Sequence, residues 1–329
     1  MHQMDIVINQ IAVMLLLVLL GYFAGRTKYL PENSGVYIST LVIKVTAPCM
    51  ILTTMAAYEF TDKTLRDGLS VSLYTICFMA LACLIGLGAS RLMKLEGAVA
   101  NVFRAHIMFG NVGYLALPLF KAIFGEKGLV YAVFFIISHD ILIWTAGVYL
   151  LNRHAGKNVK DNLRQLFNAN TLSYTLGLIF ALTNLHQIIM KSPVAGAVYN
   201  ALYNTLSPLG NATLYLVMIF VGLNLAENRA GGLRELLRKH TTLTLVFIKL
   251  LLIPGLAYVL LSLLGGGIDP FVRVILVLEL SMPCATIIPA LALQYGSDHR
   301  LATDNVVYTT LCAMFTLPLF LFLLNITGG

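Results

Sequence analysis

Four ionisable side chains fall inside long apolar stretches of the sequence, where a charge is costly and marks a functional candidate by default. They are Lys44, Asp140, Lys249 and Glu279. A lysine at membrane depth can hold the negative charge of a solute, and an acid can carry a proton or Na⁺. We therefore predict that Lys44 binds an anionic solute and that Asp140 and Glu279 bind a coupling ion. The alternative is internal pairing without a functional role, for example of Lys249 with Glu279.

Two segments of the chain share a proline that is followed seven residues later by glycine, with an aromatic residue just before that glycine. They are residues 110–125 and 281–296. A proline inside a helix removes a backbone donor and clashes with the preceding turn, so each segment predicts a broken helix. Since proline suits the first position of a helix, we expect Pro118 and Pro289 to open second half-helices, with Pro283 adding to the second break.

The start of a helix presents free N–H groups and the positive end of the helix dipole, which favour an anion. If the two breaks cross near the bilayer centre, two such ends meet there. We predict an anion site built mainly from backbone, with Asn111 and Thr286 as side-chain donors and Gly113 at the first break. The alternative is a pair of ordinary proline kinks, which are common in membrane helices.

A second pair of segments supports an internal repeat. Lys44 precedes Pro48 by four residues, and Asn204 precedes Pro208 by the same spacing. Five predicted spans separate the two members of each pair, so the copies have opposite orientation, as in many secondary transporters. We therefore add Asn204 to the predicted solute-binding residues, although small residues and proline also recur by chance in membrane helices.

The composition identifies the elements that position these residues as membrane spans. Of 329 residues, 58% are hydrophobic and 11% are charged, against about 25% charged in soluble domains. A span needs about 20 apolar residues. The apolar runs predict ten spans, at residues 6–25, 34–57, 69–90, 98–122, 128–151, 170–190, 206–225, 241–264, 271–294 and 302–325.

The predicted fold is therefore all-α and integral to the membrane, with ten helices in two inverted five-helix repeats and with helices four and nine broken and crossing. The repeats cover residues 1–152 and 169–329, and a cytoplasmic linker covers 153–168. Lys and Arg concentrate in alternate connections, which places both termini outside. The formal charge of +7 comes from these short connections, so no nucleic-acid partner is expected.

Motifs of other function classes are missing from the sequence. The five cysteines lie in apolar runs without a CxxC pair or metal-ligand spacing. The sequence contains no GxGxxG, P-loop, HExxH or GxSxG motif, which argues against a nucleotide-driven pump or a familiar hydrolase. We therefore expect no catalytic residues, no bound metal and no cofactor, apart from a possible coupling H⁺ or Na⁺.

Several motifs resemble the auxin efflux carrier family, which includes bacterial malate and malonate permeases and is related to the plant PIN-FORMED auxin carriers. The most specific are the Gly-Asn-Val-Gly of residues 110–113 with Pro118, and the Met-Pro-Cys-Ala of residues 282–285 with the segment 294–298. The segments 20–25 and 316–318 also match. The sequence departs from the family at Lys44, where members often carry asparagine.

The resemblance implies that helices 1, 2, 6 and 7 form a scaffold, often dimeric, and that helices 3–5 and 8–10 form a mobile transport domain. Movement of that domain would carry a small carboxylate, such as malate, malonate or an auxin-like acid, by an elevator mechanism. The expected location is the bacterial plasma membrane. Two alternatives are a Na⁺- or H⁺-coupled symporter or exchanger of the bile-acid-symporter-like fold with a different substrate, and a membrane-embedded enzyme or sensor.

Overall fold

A computed structural model of the chain describes residues 2–152, 168–227, 238–264 and 267–324, and these ranges contain helices and no strand. The predicted linker 153–168 lies outside the described residues except for Asn168. In chain order the helices are α1 (His2–Arg26), α2 (Ser34–Ala57), α3 (Asp62–Leu92), α4 (Gly97–Met108), α5 (Val112–Asn152), α6 (Ala169–Leu182), α7 (Leu185–Ile189), α8 (Pro193–Asn211), α9 (Thr213–Glu227), α10 (His240–Leu263), α11 (Pro270–Leu280), α12 (Ile288–Gln294) and α13 (His299–Leu323).

Six helical stretches of the described residues are long and apolar enough to cross a membrane, so the chain is an integral membrane protein. They are α2, α3, α5, the α8–α9 pair, α10 and α13. Part of the difference from the ten predicted spans is structural. Helices α4, α6, α11 and α12 have 12, 14, 11 and 7 residues, each too short to span alone. The fifth predicted span and the end of the fourth lie in one 41-residue helix, α5, which Gly125 interrupts at a φ of 66°.

The predicted seventh span was placed too late in the chain. Helix α8 already begins at Pro193, where Ser192 caps it by accepting a hydrogen bond from the Ala195 N–H, rather than at residue 206. A side-chain acceptor at the N-cap and proline in the first turn together define a helix start. The segment 194–206 is therefore helical.

Three of the described helices contain five-residue π-helical turns, four turns in all, because α5 contains two. Three of these turns, Val42–Thr46, Val112–Ala116 and Ile248–Leu252, end two residues before a proline, namely Pro48, Pro118 and Pro254. The proline ring clashes with the carbonyl four residues earlier, and a wider turn relieves this clash. Helical backbone in α5 consequently begins at Val112, so Pro118 lies inside a helix that has already started. Pro289 does lie in the first turn of its helix, as predicted.

The helices pack in two groups. In one group α1 packs along α9, and α2 packs against both α6 and α8. In the other, α3 packs against α4 and α5, α10 against α11, and α12 against α13. The α1–α9 contact is a backbone contact, because an added Cβ at Gly21 would lie 2.2 Å from the Ile219 oxygen and one at Gly222 would lie 2.1 Å from the Val18 oxygen.

Candidate functional site

The interruptions between α4 and α5 and between α11 and α12 cross each other. The Asn111 N–H donates to the Pro283 carbonyl at 2.7 Å, and the Ala285 N–H donates to the Phe109 carbonyl at 3.1 Å. Between these bonds Gly110 lies opposite Cys284 in an antiparallel pairing. Part of the backbone exposed by the two breaks is thereby satisfied within the protein, as a membrane interior requires. The interpretation of two independent proline kinks is not compatible with this pairing.

The crossing is also attached to the last helix. The Cys284 N–H donates to Thr309 Oγ1 at 3.1 Å, and the Thr309 hydroxyl donates to the Asn305 carbonyl one turn earlier in α13. Asn305 Nδ2 lies 3.3 Å from His106 Nδ1 on α4. These contacts hold α4, α13 and the second break in one packed unit.

The helix that follows each break, α5 after the first and α12 after the second, presents free N–H groups at its start. The first α-type bond of α5 runs from the Leu115 N–H to the Asn111 carbonyl, so the N–H groups of residues 112–114 precede it. After the other break, the Leu291 N–H donates to the Ile287 carbonyl just inside α12. Such helix starts have orphan donors and a positive dipole end, and both favour a bound anion.

A cavity of about 760 Å³ adjoins both helix starts. It lies between the crossing and parts of α2, α5, α6 and α9. Its polar lining residues are Ser39, Asn111, Tyr114, His139, Asp140, Asn168, Asn170, Tyr174 and Thr286, and no lysine or arginine of the described residues lines it. A second cavity of about 210 Å³ shares Asn111 and Thr286 with the first and is also lined by Pro289.

The structure therefore brings together part of the predicted set. Asn111, Gly113, Asp140 and Thr286 line the larger cavity. Asn111 is 7% exposed, so its side chain is held in place while it borders both cavities. An added Cβ at Gly113 would meet no atom within 4 Å, so this glycine leaves open space at the cavity wall.

Other predicted residues do not line the larger cavity. Pro283 contributes to the crossing through its carbonyl, and Pro118 is buried behind the π-helical turn of α5. Lys44 and Asn204 are exposed on α2 and α8 and line neither cavity described here. Because the π-helical turn in α2 buries Val42 and Thr46, the intervening Lys44 faces away from the packed side.

Asp140 is the acidic side chain among the described residues that line the larger cavity. The Tyr174 hydroxyl of α6 donates to Asp140 Oδ2 at 2.8 Å, and His139 Nδ1 lies 3.4 Å from Asp140 Oδ1. Helical geometry places neighbouring side chains about 100° apart, so the sequence did not imply the His139 contact. Sequence analysis also missed Tyr174 and Tyr114, whose hydroxyl donates to the Ser39 carbonyl at 2.8 Å. A single aromatic in an apolar helix gives no signal for such a role.

Glu279 and Lys249 lie in the crossing region rather than in the cavity. Both are 1% exposed. The two side chains of this described pair form no ion pair with each other, and neither Glu279 oxygen has a hydrogen-bond partner among the described residues. The predicted Lys249–Glu279 pairing is therefore not present as a direct contact. Lys249 Nζ instead lies 3.5 Å from the carbonyl oxygens of Ile107 and Met108.

Known proteins provide an independent comparison. The family model described as "Membrane transport protein" matches residues 6–321. An "Uncharacterized transporter" of Methanothermobacter thermautotrophicus is 27% identical over 310 residues, which cover 93% of this chain and 94% of the relative. A "Putative malonate transporter" of Rhizobium meliloti is 24% identical over 318 residues, 94% of this chain and 93% of the relative.

A further relative, the "Uncharacterized transporter YfdV" of Escherichia coli K12, is 26% identical over 281 residues, which cover 80% of this chain and 84% of that protein. The family match at residues 6–321 includes both breaks and the crossing. Together with the motifs around the two breaks, they establish that this chain belongs to the membrane transport protein family, the auxin efflux carrier family that its sequence resembles.

Proposed function

We propose that this chain is a secondary transporter of small organic anions, and that carboxylates such as malonate are its substrate class. The observation that carries the proposal is the crossing, which directs the starts of two half-helices toward one cavity of about 760 Å³. Helix starts bind carboxylates through backbone N–H groups without a fixed positive side chain. A cavity of this volume is within the usual range for small-molecule sites.

The lining argues for a small carboxylate rather than a phosphate ester. No lysine or arginine of the described chain borders the cavity, so negative charge is met there by dipoles and by the Asn111 amide and Thr286 hydroxyl. A phosphate ester, by contrast, is usually bound by arginine or lysine. The name of the Rhizobium meliloti relative makes malonate the natural first probe.

We further propose ten spans in two inverted repeats and an elevator movement between the two packing groups. In this arrangement α1, α2, α6, α8 and α9 form the scaffold, and α3–α5 and α10–α13, which include the crossing, form the moving domain. The hydrogen bonds from Tyr174 to Asp140 and from Tyr114 to the Ser39 carbonyl cross the boundary between the groups. Both would break and re-form when the domain moves.

Asp140 is the acid that we assign to a coupling proton. It borders the cavity, its side chain is 24% exposed, and His139 and Tyr174 are the titratable groups in contact with it. Glu279, the other predicted coupling residue, is closed off from both cavities. Replacing Asp140 with asparagine should therefore abolish the response of malonate uptake to an imposed pH gradient, whereas Glu279→Gln, which keeps the size and shape of the buried side chain, should leave that response intact.

The transport proposal is tested with purified protein in liposomes and radiolabelled malonate. Asn111→Ala and Thr286→Ala should each raise KM roughly tenfold or more, because each removes a hydrogen bond to a charged ligand. Gly113→Ala should fold as well as the wild type, since its methyl group meets open space, but should alter KM. Thr205→Ala is the matched control, because that exposed hydroxyl bonds only within its own helix, to the Ala201 carbonyl.

Two results would contradict the proposal. One is malonate uptake no greater than in empty liposomes, with the same result for malate and for monocarboxylates. The other is uptake that is unaffected by both Asn111→Ala and Thr286→Ala.

A further inference from the structure

Lys249 is a buried lysine that has no role in the transport mechanism proposed above. It lies in the π-helical turn Ile248–Leu252 of α10, and its side chain extends to the carboxyl end of α4. There its Nζ is 3.5 Å from the carbonyl oxygens of Ile107 and Met108. An added Cβ at Gly110 would be 3.4 Å from the same nitrogen, so the ammonium is also packed against the crossing.

A positive charge is favourable at the carbonyl end of α4. In a continuous helix the Asn111 N–H would donate to the Ile107 carbonyl, but here it donates to Pro283 across the break. The last carbonyls of a helix carry about half a negative charge, and inside a membrane no bulk water offsets it. In transporters with interrupted helices, such carbonyl ends coordinate Na⁺.

The contacts of Lys249 fit this position better than an ion pair. Nitrogen–oxygen distances of 3.5 Å are long for hydrogen bonds, so the attraction is chiefly between a charge and two carbonyl dipoles. Glu279 is the buried acid of this region and interacts with Lys249 electrostatically, but no ion pair within 4 Å joins the two side chains in the described structure. The direct contacts of the ammonium are therefore with the end of α4.

We propose that Lys249 is a built-in cation that occupies the place of a coupling Na⁺ at the crossing, so that anion transport by this chain does not require Na⁺. The inference rests on the proposed transport function. It makes Lys249 a positioning residue: the side chain is closed off from the cavity, stabilises the crossing, and leaves the opposite helix ends free for the anion.

A binding test that needs no substrate separates this inference from the transport proposal. Thermal unfolding of the purified protein is measured in sodium chloride and in choline chloride at equal ionic strength. The wild type should melt at the same temperature in both salts. Lys249→Ala should melt lower in choline and regain stability in Na⁺, because the truncated side chain leaves space for the ion beside the two carbonyls.

Two further variants sharpen the comparison. Lys249→Met keeps most of the side-chain volume without the charge, so it should lose stability and transport without rescue by Na⁺. Lys121→Ala removes another lysine of the membrane region, on α5, and should acquire no Na⁺-specific response. In liposomes, wild-type malonate uptake should be the same with Na⁺ or choline, whereas Lys249→Ala should transport at least about fivefold faster in Na⁺ than in choline.

The inference is overturned if wild-type uptake depends on Na⁺, or if Na⁺ specifically raises the melting temperature of the wild type. It is also overturned if Lys249→Met matches the wild type in stability and uptake, since the charge would then be dispensable. If Lys249→Ala does not fold, the wild-type and Lys249→Met measurements still decide. Absence of uptake of malonate, malate and monocarboxylates by the wild type would instead refute the transport proposal and leave the melting experiment to test the cation.

Discussion

The backbone contact between α1 and α9 provides a prediction whose magnitude follows from the structure. A methyl group at Gly222 would lie 2.1 Å from the Val18 carbonyl oxygen and 2.6 Å from the Tyr22 nitrogen. Both neighbours are backbone atoms, so no side-chain rotation relieves the clash. A carbon atom in contact with a carbonyl oxygen normally lies about 3.3–3.6 Å from it, so Gly222→Ala must separate the helices by roughly 1 Å or more. Overpacking of this kind costs about 1–3 kcal/mol.

The assay is thermal unfolding in detergent, followed by the recovery of monodisperse protein on size exclusion. Gly222→Ala should melt several degrees below the wild type. Gly88→Ala and Gly255→Ala are the controls, because an added Cβ at either position meets nothing within 4 Å. In these helices alanine should be neutral or stabilising by up to about 1 kcal/mol.

The double variant Gly21→Ala/Gly222→Ala adds a test of mechanism. Both glycines serve one helix contact, so once the first methyl group has separated the helices, the second should cost less than it does alone. Equal melting temperatures for Gly222→Ala and Gly255→Ala would refute the reasoning, as would strict additivity of the two glycine substitutions.

Two further predictions concern polar contacts. Tyr174→Phe removes the 2.8 Å hydrogen bond to Asp140 and should destabilise this state of the protein by about 1–3 kcal/mol in thermal melts. Because this bond joins the two packing groups, the substitution should also change the rate of malonate uptake, which a purely local packing effect would not do. At the N-cap of α11, burial would raise the pKa of the Asp269 carboxyl, but hydrogen bonds from Lys63 and the Phe271 N–H outweigh it and hold the pKa below its ordinary value of 3.8. Because the pKa of Asp269 is lower in the folded state than in the unfolded state, its ionised carboxylate should stabilise the protein at neutral pH. This contribution should be lost as the pH falls below about 4. It should amount to less than about 1 kcal/mol, because the Lys63 side chain is 64% exposed. Melting curves of Asp269→Asn should lack this acid-dependent component.

The two breaks could be predicted from sequence because proline and glycine act on their own turn of helix. Residues beside a break, such as Asn111 and Thr286, then reach the cavity wherever the rest of the chain packs. The direction in which the Lys44 side chain points could not be predicted, since a π-helical turn changes the rotation of the helix at that residue. The contact of Lys249 with α4 is equally hidden, because it joins residues 142 positions apart through backbone oxygens that every sequence possesses.

The antiparallel pairing at the crossing has a consequence for how such a protein can change over time. The two bonds that tie the breaks together use only main-chain atoms, from Asn111 to Pro283 and from Ala285 to Phe109. Side chains at 111 and 286 can therefore be exchanged without untying the architecture. Related proteins that share this backbone pairing can acquire new solute preferences by a few substitutions. The hydrogen bonds that hold the two breaks together stay the same.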